Sequence, residues 1–338
     1  MNIAVTGYSG TGATAVYNLL KEYNTCSYCQ REPYEHIPFY TPNGLFDLEY
    51  KLLFCNNLHR SDEAFDSFVR EMKRLYENDF GWMGGYNRLV GIDFMNLVYD
   101  FINGFNTYTV RGYWSYDCIG QRYKISRIIK DFAKLLLRKE IVSFGKEVVV
   151  KDKQLIHICI PTKEEFYSLA KIFVNSYMDL FKQNKNAVFD HLLMPSDMNK
   201  IDNYFDDNFR LIIVDRDIRD VYLYTKYIRP KYGSNSKYPS DVNEFGEFWS
   251  KLRSLEKKSS NKVMRIYFED LVFDYDNTIS KIEAFTGLHS NEHVKKGSFF
   301  DANKAADYVQ LYMKSKTWED ETSVLTKYGG YLWQSGKQ

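Results

Sequence analysis

Apolar positions recur along this chain with two different periods, and each change of period marks the end of an element. Ile3-Ala4-Val5 is a continuous apolar run suited to a buried strand, while Ala13, Val16, Leu19 and Leu20 recur at helical spacing. Gly7 to Gly12 must therefore turn between a strand and a helix. A second strand fits between Cys26 and Phe39, and Pro42-Asn43-Gly44 signals a turn. Residues 58–138 read as mostly helical and aromatic-rich. Phe65, Phe68, Val69, Met72 and Leu75 form one apolar face, and Ile125, Ile128, Ile129, Phe132, Leu135 and Leu136 another. Residues 147–150 and 155–160 are β-branched runs around Lys151-Asp152-Lys153, the pattern of a hairpin.

Thr162 and Glu165 form a capping box that opens a helix whose buried stripe is Phe166, Leu169, Phe173, Tyr177 and Leu180. Ala187-Val188-Phe189 and Leu211-Ile212-Ile213-Val214 read as strands, the second followed by a helix over 217–227. Asp241 and Glu244 cap a helix with Phe245, Phe248, Trp249, Leu252 and Leu255 on one face. A strand over 263–268 precedes a helix that carries Ile279, Ile282 and Phe285 and closes at Gly287. Strands alternating with helices predict an α/β fold, a mainly parallel sheet flanked by helices on both faces. The expectation is one domain over 1–338, with 58–138 a helical insertion that could wall an acceptor site or cover the sheet.

Composition narrows this little. Forty-five basic residues against forty-four acidic ones lack the excess that nucleic-acid binding favours. The 28 Tyr and 24 Phe suit either a filled core or an apolar acceptor pocket. Charges interrupt every apolar run, so no transmembrane segment is expected, and the N-terminal pattern belongs to the first strand and helix rather than to a leader. The expectation is a cytoplasmic protein. Cys26, Cys29, Cys55, Cys118 and Cys159 are scattered, and Cys26-x-x-Cys29 lacks a second pair at zinc spacing, so reduced thiols are expected and no metal.

The chemistry concentrates at the first turn. Glycines reach backbone angles closed to other residues, and the following helix start leaves amide hydrogens unpaired, so an anion such as a phosphate is the natural occupant. Gly7, Gly12 and Thr14 match the triphosphate loop G-x-x-x-x-G-K-[ST], but Ala13 replaces its lysine, which argues against an ATPase or kinase. Glu32, Glu35 and His36 lie nearby in sequence without a spacing that ties them to a partner. His289 and His293 lack a third ligand and read as surface. Arg216, at a strand end in FRLIIVDRDIRDVYLY, can present a planar fork to a phosphate or pair with Asp217 or Asp220.

Here the sequence resembles the sulfotransferases that use 3′-phosphoadenosine 5′-phosphosulfate. Arg216, Asp217, Arg219, Asp220 and Val221 stand on that family's 3′-phosphate motif, and Ser9-Gly10-Thr11 on the core of its 5′-phosphosulfate loop. Tyr267-Phe268-Glu269-Asp270-Leu271 and Phe285-Thr286-Gly287-Leu288 resemble its later strand and helix, and Lys295-Lys296-Gly297 its closing segment. The matches occur in the family's order. The resemblance implies a P-loop-like fold with Ser9, Gly10, Thr11, Gly12, Ala13 and Thr14 on the 5′-phosphate, and Arg216, Tyr224, Lys295, Lys296 and Gly297 on the 3′-phosphate. His191, in VFDHLLMP 25 residues before Arg216, stands where the cytosolic enzymes carry a catalytic base, while other branches use a glutamate, for which Glu32 and Glu35 are available. Two residues depart from the pattern. Tyr8 replaces the loop lysine, so either another cation neutralises the leaving phosphate or turnover is slow, and Tyr224, beside Thr225, replaces a serine.

The implied activity is transfer of a sulfuryl group from that donor to an acceptor hydroxyl, with no metal. A glycan is the first expectation for the acceptor; an apolar alcohol such as a sterol is the alternative. A nucleotide kinase and a non-catalytic protein with a relict nucleotide site are the rivals from other classes.

Overall fold

The computed structural model describes residues 1–112, 114, 123–124, 140–144, 147–151, 154–183, 185–233, 237–257 and 260–334. The chain begins with β1 (Asn2–Gly7), α1 (Ala13–Leu20) and a short β2 (Cys26–Ser27), then α2 (Leu58–Glu77) and α3 (Asp93–Asn103). β3 (Tyr108–Gly112), β4 (Tyr123–Lys124), β5 (Glu140–Phe144), β6 (Glu147–Lys151) and β7 (Gln154–Ile158) follow. The rest contains α4 (Lys163–Asp179), β8 (Asn186–Asp190), β9 (Phe209–Asp215), α5 (Ile218–Leu223), α6 (Val242–Ser254), β10 (Val263–Tyr267) and α7 (Tyr275–Thr286).

Among the described residues the central sheet runs β10-β9-β1-β8-β2, with every pairing parallel. Side chains alternate across a strand, so each strand feeds two cores. Ala4, Ala187, Phe189, Leu211 and Ile213 pack on one face with Phe68, Phe94 and Phe173 of α2, α3 and α4. Ile3, Val5, Val188, Ile212 and Val214 pack on the other with Val16, Leu20, Ile279 and Ile282 of α1 and α7. A third cluster joins Tyr8 to Val221, Phe245 and Trp249 beyond the strand ends.

The two runs expected to form one hairpin are both strands, but they pair elsewhere. β6 runs antiparallel to β5, with Glu140 opposite Lys151, and β7 antiparallel to β3, with Tyr108 opposite Ile158. β-branched composition marks a strand without choosing its partner. Here α2 helps to choose: Asp62 Oδ1 accepts the His157 amide at 2.8 Å and holds β7 against the helix. The 58–138 segment is helical through α2 and α3 and then turns to strand. Its second expected face, at Ile125 to Leu136, lies outside the described residues, as does Cys118.

Candidate functional site

Ligands of parallel sheets collect beyond the carboxyl ends of the strands, where neighbouring connections leave in opposite directions. β1 is that place here, with β8 on one side and β9 on the other. The residues that follow these three neighbours are Tyr8 to Gly12, His191 and Arg216. All three groups reach one cavity of about 1080 Å³.

The turn after β1 is shaped by its glycines. Gly10 and Gly12 have φ of 89° and 96°, and a Cβ at Gly12 would sit 2.6 Å from Phe268 Cδ2. Thr11 is fully buried; its amide and hydroxyl both bond Tyr8 O, at 3.0 and 2.9 Å, so it braces the turn from inside and does not line the cavity. Gly12 gives α1 no side-chain cap, which leaves the first amides of the helix facing the cavity between Ser9, Gly10, Gly12, Ala13 and Thr14. Tyr8 turns inward. Its ring is 4% exposed and meets Trp249 edge-on at 5.5 Å. Burial and the nearby Glu256 push its phenol pKa up, so the hydroxyl is neutral.

Arg216 is as buried as Tyr8. Its guanidinium lies between the rings of Tyr224 and Phe268, 5.0 and 5.2 Å from their centroids. Nη1 donates to Gly10 O at 3.0 Å and Nη2 to Tyr308 O, while Nε is buried without a hydrogen-bond partner among the described residues. The ion pair open to Arg216 in the sequence is taken by its neighbour: Arg219 binds Asp217 with both ends of its fork, at 2.9 and 2.7 Å. Tyr224 lines the cavity; Thr225 turns its hydroxyl back to Val221 O at 2.8 Å.

His191 sits between two acceptors. Nδ1 is 2.6 Å from Asp190 Oδ1 and Nε2 is 3.2 Å from Gly7 O. Burial alone would lower its pKa. The Asp190 carboxylate, Glu35 and the Gly7 carbonyl outweigh burial and raise it to about 9. Of the nearby glutamates only Glu35 lines the cavity, whereas Glu32 pairs with Lys21 at 2.5 Å. His36 is buried against Tyr177 Oη at 2.8 Å, and burial lowers its pKa to about 3.

The 293–301 segment forms a strap across one wall. Gly297 lines the cavity, but the two lysines before it point elsewhere: Lys296 faces Asp276 at 3.4 Å and Lys295 lines a separate cavity of about 200 Å³. The strap is held by a residue without a sequence signal. Glu22, fully buried just past α1, accepts the amides of Gly297, Phe299 and Phe300 at 3.1, 2.8 and 2.8 Å and His293 Nε2 at 2.7 Å. His293 therefore belongs to a buried pair and stacks on Tyr23 at 4.4 Å, rather than lying on the surface as its spacing suggests. Arg229 and Lys304 also line the cavity unannounced by any motif, whereas Asp190 stood beside His191 in the sequence.

No protein-family model and no curated protein matches this chain. Among solved structures it is similar to the sulfotransferase domain of the Synechococcus PCC 7002 olefin synthase, at 11% identity over 98% of this chain and 94% of that one, with TM-score 0.38. It is also similar to the sulfotransferase domain of the curacin biosynthetic pathway, at 9% identity over 98% of both chains and TM-score 0.40. A third is a sulfotransferase from Mycobacterium tuberculosis H37Rv, at 12% identity over 96% of this chain and 76% of that one, with TM-score 0.31. Among the described residues no group of three His, Cys, Asp or Glu side chains could hold a metal ion, and no helix is long and apolar enough to cross a membrane.

Proposed function

We propose that this chain is a sulfotransferase that moves a sulfuryl group from 3′-phosphoadenosine 5′-phosphosulfate to an acceptor hydroxyl on a carbohydrate. One observation carries the reading: an uncapped glycine turn, a buried arginine with an unpaired Nε and an Asp–His pair open from three adjacent strand ends onto one cavity. That cavity exceeds the 300 to 1,000 Å³ or so typical of small-ligand sites, leaving space for a nucleotide and an acceptor together.

In the transfer, the acceptor oxygen bonds to sulfur as the bond from sulfur to the 5′-phosphate oxygen breaks. The electron pair of that bond stays on the phosphate, and the hydroxyl proton passes to a base. By analogy with phosphoryl transfer, the group moves in line through a loose transition state, so catalysis consists mainly of positioning and charge stabilisation. The amides of Ser9, Gly10, Gly12, Ala13 and Thr14 hold the 5′-phosphate, while Thr11, whose own amide and hydroxyl bond Tyr8 O, braces them. Arg216 holds the 3′-phosphate beside the Tyr224 ring. Of Lys295, Lys296 and Gly297, only Gly297 is assigned to the donor. His191 is the proposed base, with Asp190 orienting it; the scheme uses no metal. Polar Glu35, Thr41 and Lys237 share the walls with Tyr40, Tyr238 and Phe248. That mixture suits a sugar better than an apolar alcohol, which asks for a dry pocket.

Calorimetric titration with 3′-phosphoadenosine 5′-phosphate, the desulfated donor, tests the reading. Micromolar binding is expected, at least about tenfold weaker in Arg216→Ala, and none of ATP with magnesium. Absence of binding would leave the relict-site rival standing, and binding of ATP alone would favour the kinase.

A further inference from the structure

An anion in the first turn meets main-chain amides, whose charge is partial, and no cation among the turn's own side chains. Tyr8 is neutral and faces Trp249. The compensating charge must reach the turn from another element. Besides His191, whose charge is engaged with Asp190, four basic side chains among the described residues line the cavity: Arg216, Arg229, Lys237 and Lys304. Lys304 extends beside Asp301 of the strap, at 3.5 Å. Arg216 touches the turn at Gly10. Arg229 touches it at its first polar residue, donating from Nη1 to Ser9 Oγ.

The chain has an identifiable device for delivering Arg229 there. After α5 the helix widens into a π turn over Tyr224–Ile228, and the Arg229 amide bonds back to Tyr224 O, five residues earlier. In an α-helix, residues five apart diverge by roughly 140° around the axis. A π turn closes its hydrogen bond over that same interval, which brings the two residues close to one face. Tyr224 and Arg229 consequently both line the cavity, while Thr225 faces inward.

We propose that Arg229 is the cation that neutralises the donor's 5′-phosphate as the sulfuryl group departs, and so fills the place left by Tyr8. The assignment rests on the sulfotransferase reading above. As the bond from sulfur to the bridging oxygen breaks, negative charge grows on that oxygen, and a guanidinium already seated on Ser9 stabilises it without reorganising. Arg216 and Arg229 then grip the two ends of one nucleotide, the 3′- and the 5′-phosphate.

The test is titration of the wild type, Arg229→Ala, Arg229→Lys and Arg216→Ala with 3′-phosphoadenosine 5′-phosphate, adenosine 5′-monophosphate and adenosine 3′-monophosphate. Arg229→Ala should weaken the bisphosphate and the 5′-monophosphate by roughly 10- to 100-fold and leave the 3′-monophosphate within about twofold. Arg216→Ala should show the opposite pattern. Arg229→Lys, which keeps the charge and loses the fork, should recover part of the loss. With saturating donor, Arg229→Ala should also lower turnover about 100-fold. Equal effects of Arg229→Ala on all three nucleotides, or none, with the wild type binding normally, would overturn this inference and leave the sulfotransferase reading intact. Failure of the wild type to bind any of them would remove that reading and the inference with it. Unchanged melting temperatures for the variants exclude misfolding as the cause.

Discussion

His191 adopts a left-handed backbone, with φ of 51°, which a non-glycine residue keeps only where its surroundings hold it. Its amide is fixed to Val5 O at 2.9 Å, and its two ring nitrogens meet Asp190 and Gly7. With a pKa near 9 the ring is an imidazolium at neutral pH. Both nitrogens then donate, and neither can take a proton from a substrate hydroxyl. If His191 is the base, turnover should rise about tenfold per pH unit below about 9 and level off above it. His191→Asn should abolish that rise. A profile that is flat from pH 6.5 to 9, with activity lost in Glu35→Gln, would transfer the role to Glu35 on the same cavity. The position of His191 was legible from its neighbours in the sequence, but its charge was not, because that depends on the fold burying the ring while turning the Asp190 carboxylate onto Nδ1 and bringing up Glu35 and, more weakly, the Gly7 carbonyl from distant parts of the chain.

At the scale of elements, a motif located the strap but not its working parts. Lys295-Lys296-Gly297 was recognisable as a segment, yet the direction of each side chain is set by Glu22, which binds the strap's amides and fixes its course. A lone acid after a helix reads as solvated until the fold buries it among donors. Replacing Glu22 with Gln removes the charge and presents an amide to groups that are themselves donors. The expected cost is about 2 to 4 kcal/mol in denaturant unfolding. Hydrogen exchange should accelerate at the amides of Gly297, Phe299 and Phe300 before it does in the central strands. If the cavity takes the proposed nucleotide, binding should also weaken, because Gly297 to Asp301 line that cavity. Unchanged exchange at those three amides would show that the strap is held by its own packing and not by Glu22.

For the whole molecule, apolar runs revealed four of the five central strands because both faces of a parallel sheet are buried, and composition alone marks such strands; β2, only Cys26–Ser27, has no such run and was placed no better than between Cys26 and Phe39. Their order was not readable from spacing, and neither was the pairing of β3 with β7, since long-range partners leave no local trace. That order has a thermodynamic consequence, since it buries proton-holding groups near the strand ends: Asp220 just past β9, whose pKa burial raises to about 6, and two whose shifts reach higher pH. Glu269, 1% exposed beyond β10, has its pKa raised to about 8 by burial, and His191 beyond β8 is at about 9. Unfolded, they titrate near roughly 4.3 and 6.5. The folded state therefore binds more protons than the unfolded state across both windows, and stability must fall as pH rises. Glu269 contributes fully below about 4.3 and loses its contribution as pH rises to about 8; His191 does so between about 6.5 and 9. Urea midpoints should decline steadily from pH 5 to 9. Glu269→Gln should flatten the lower part of that decline and His191→Asn the upper part, each in its own window. A slope unaltered by either substitution would mean that other groups carry the pH dependence and that neither residue holds an extra proton in the folded protein.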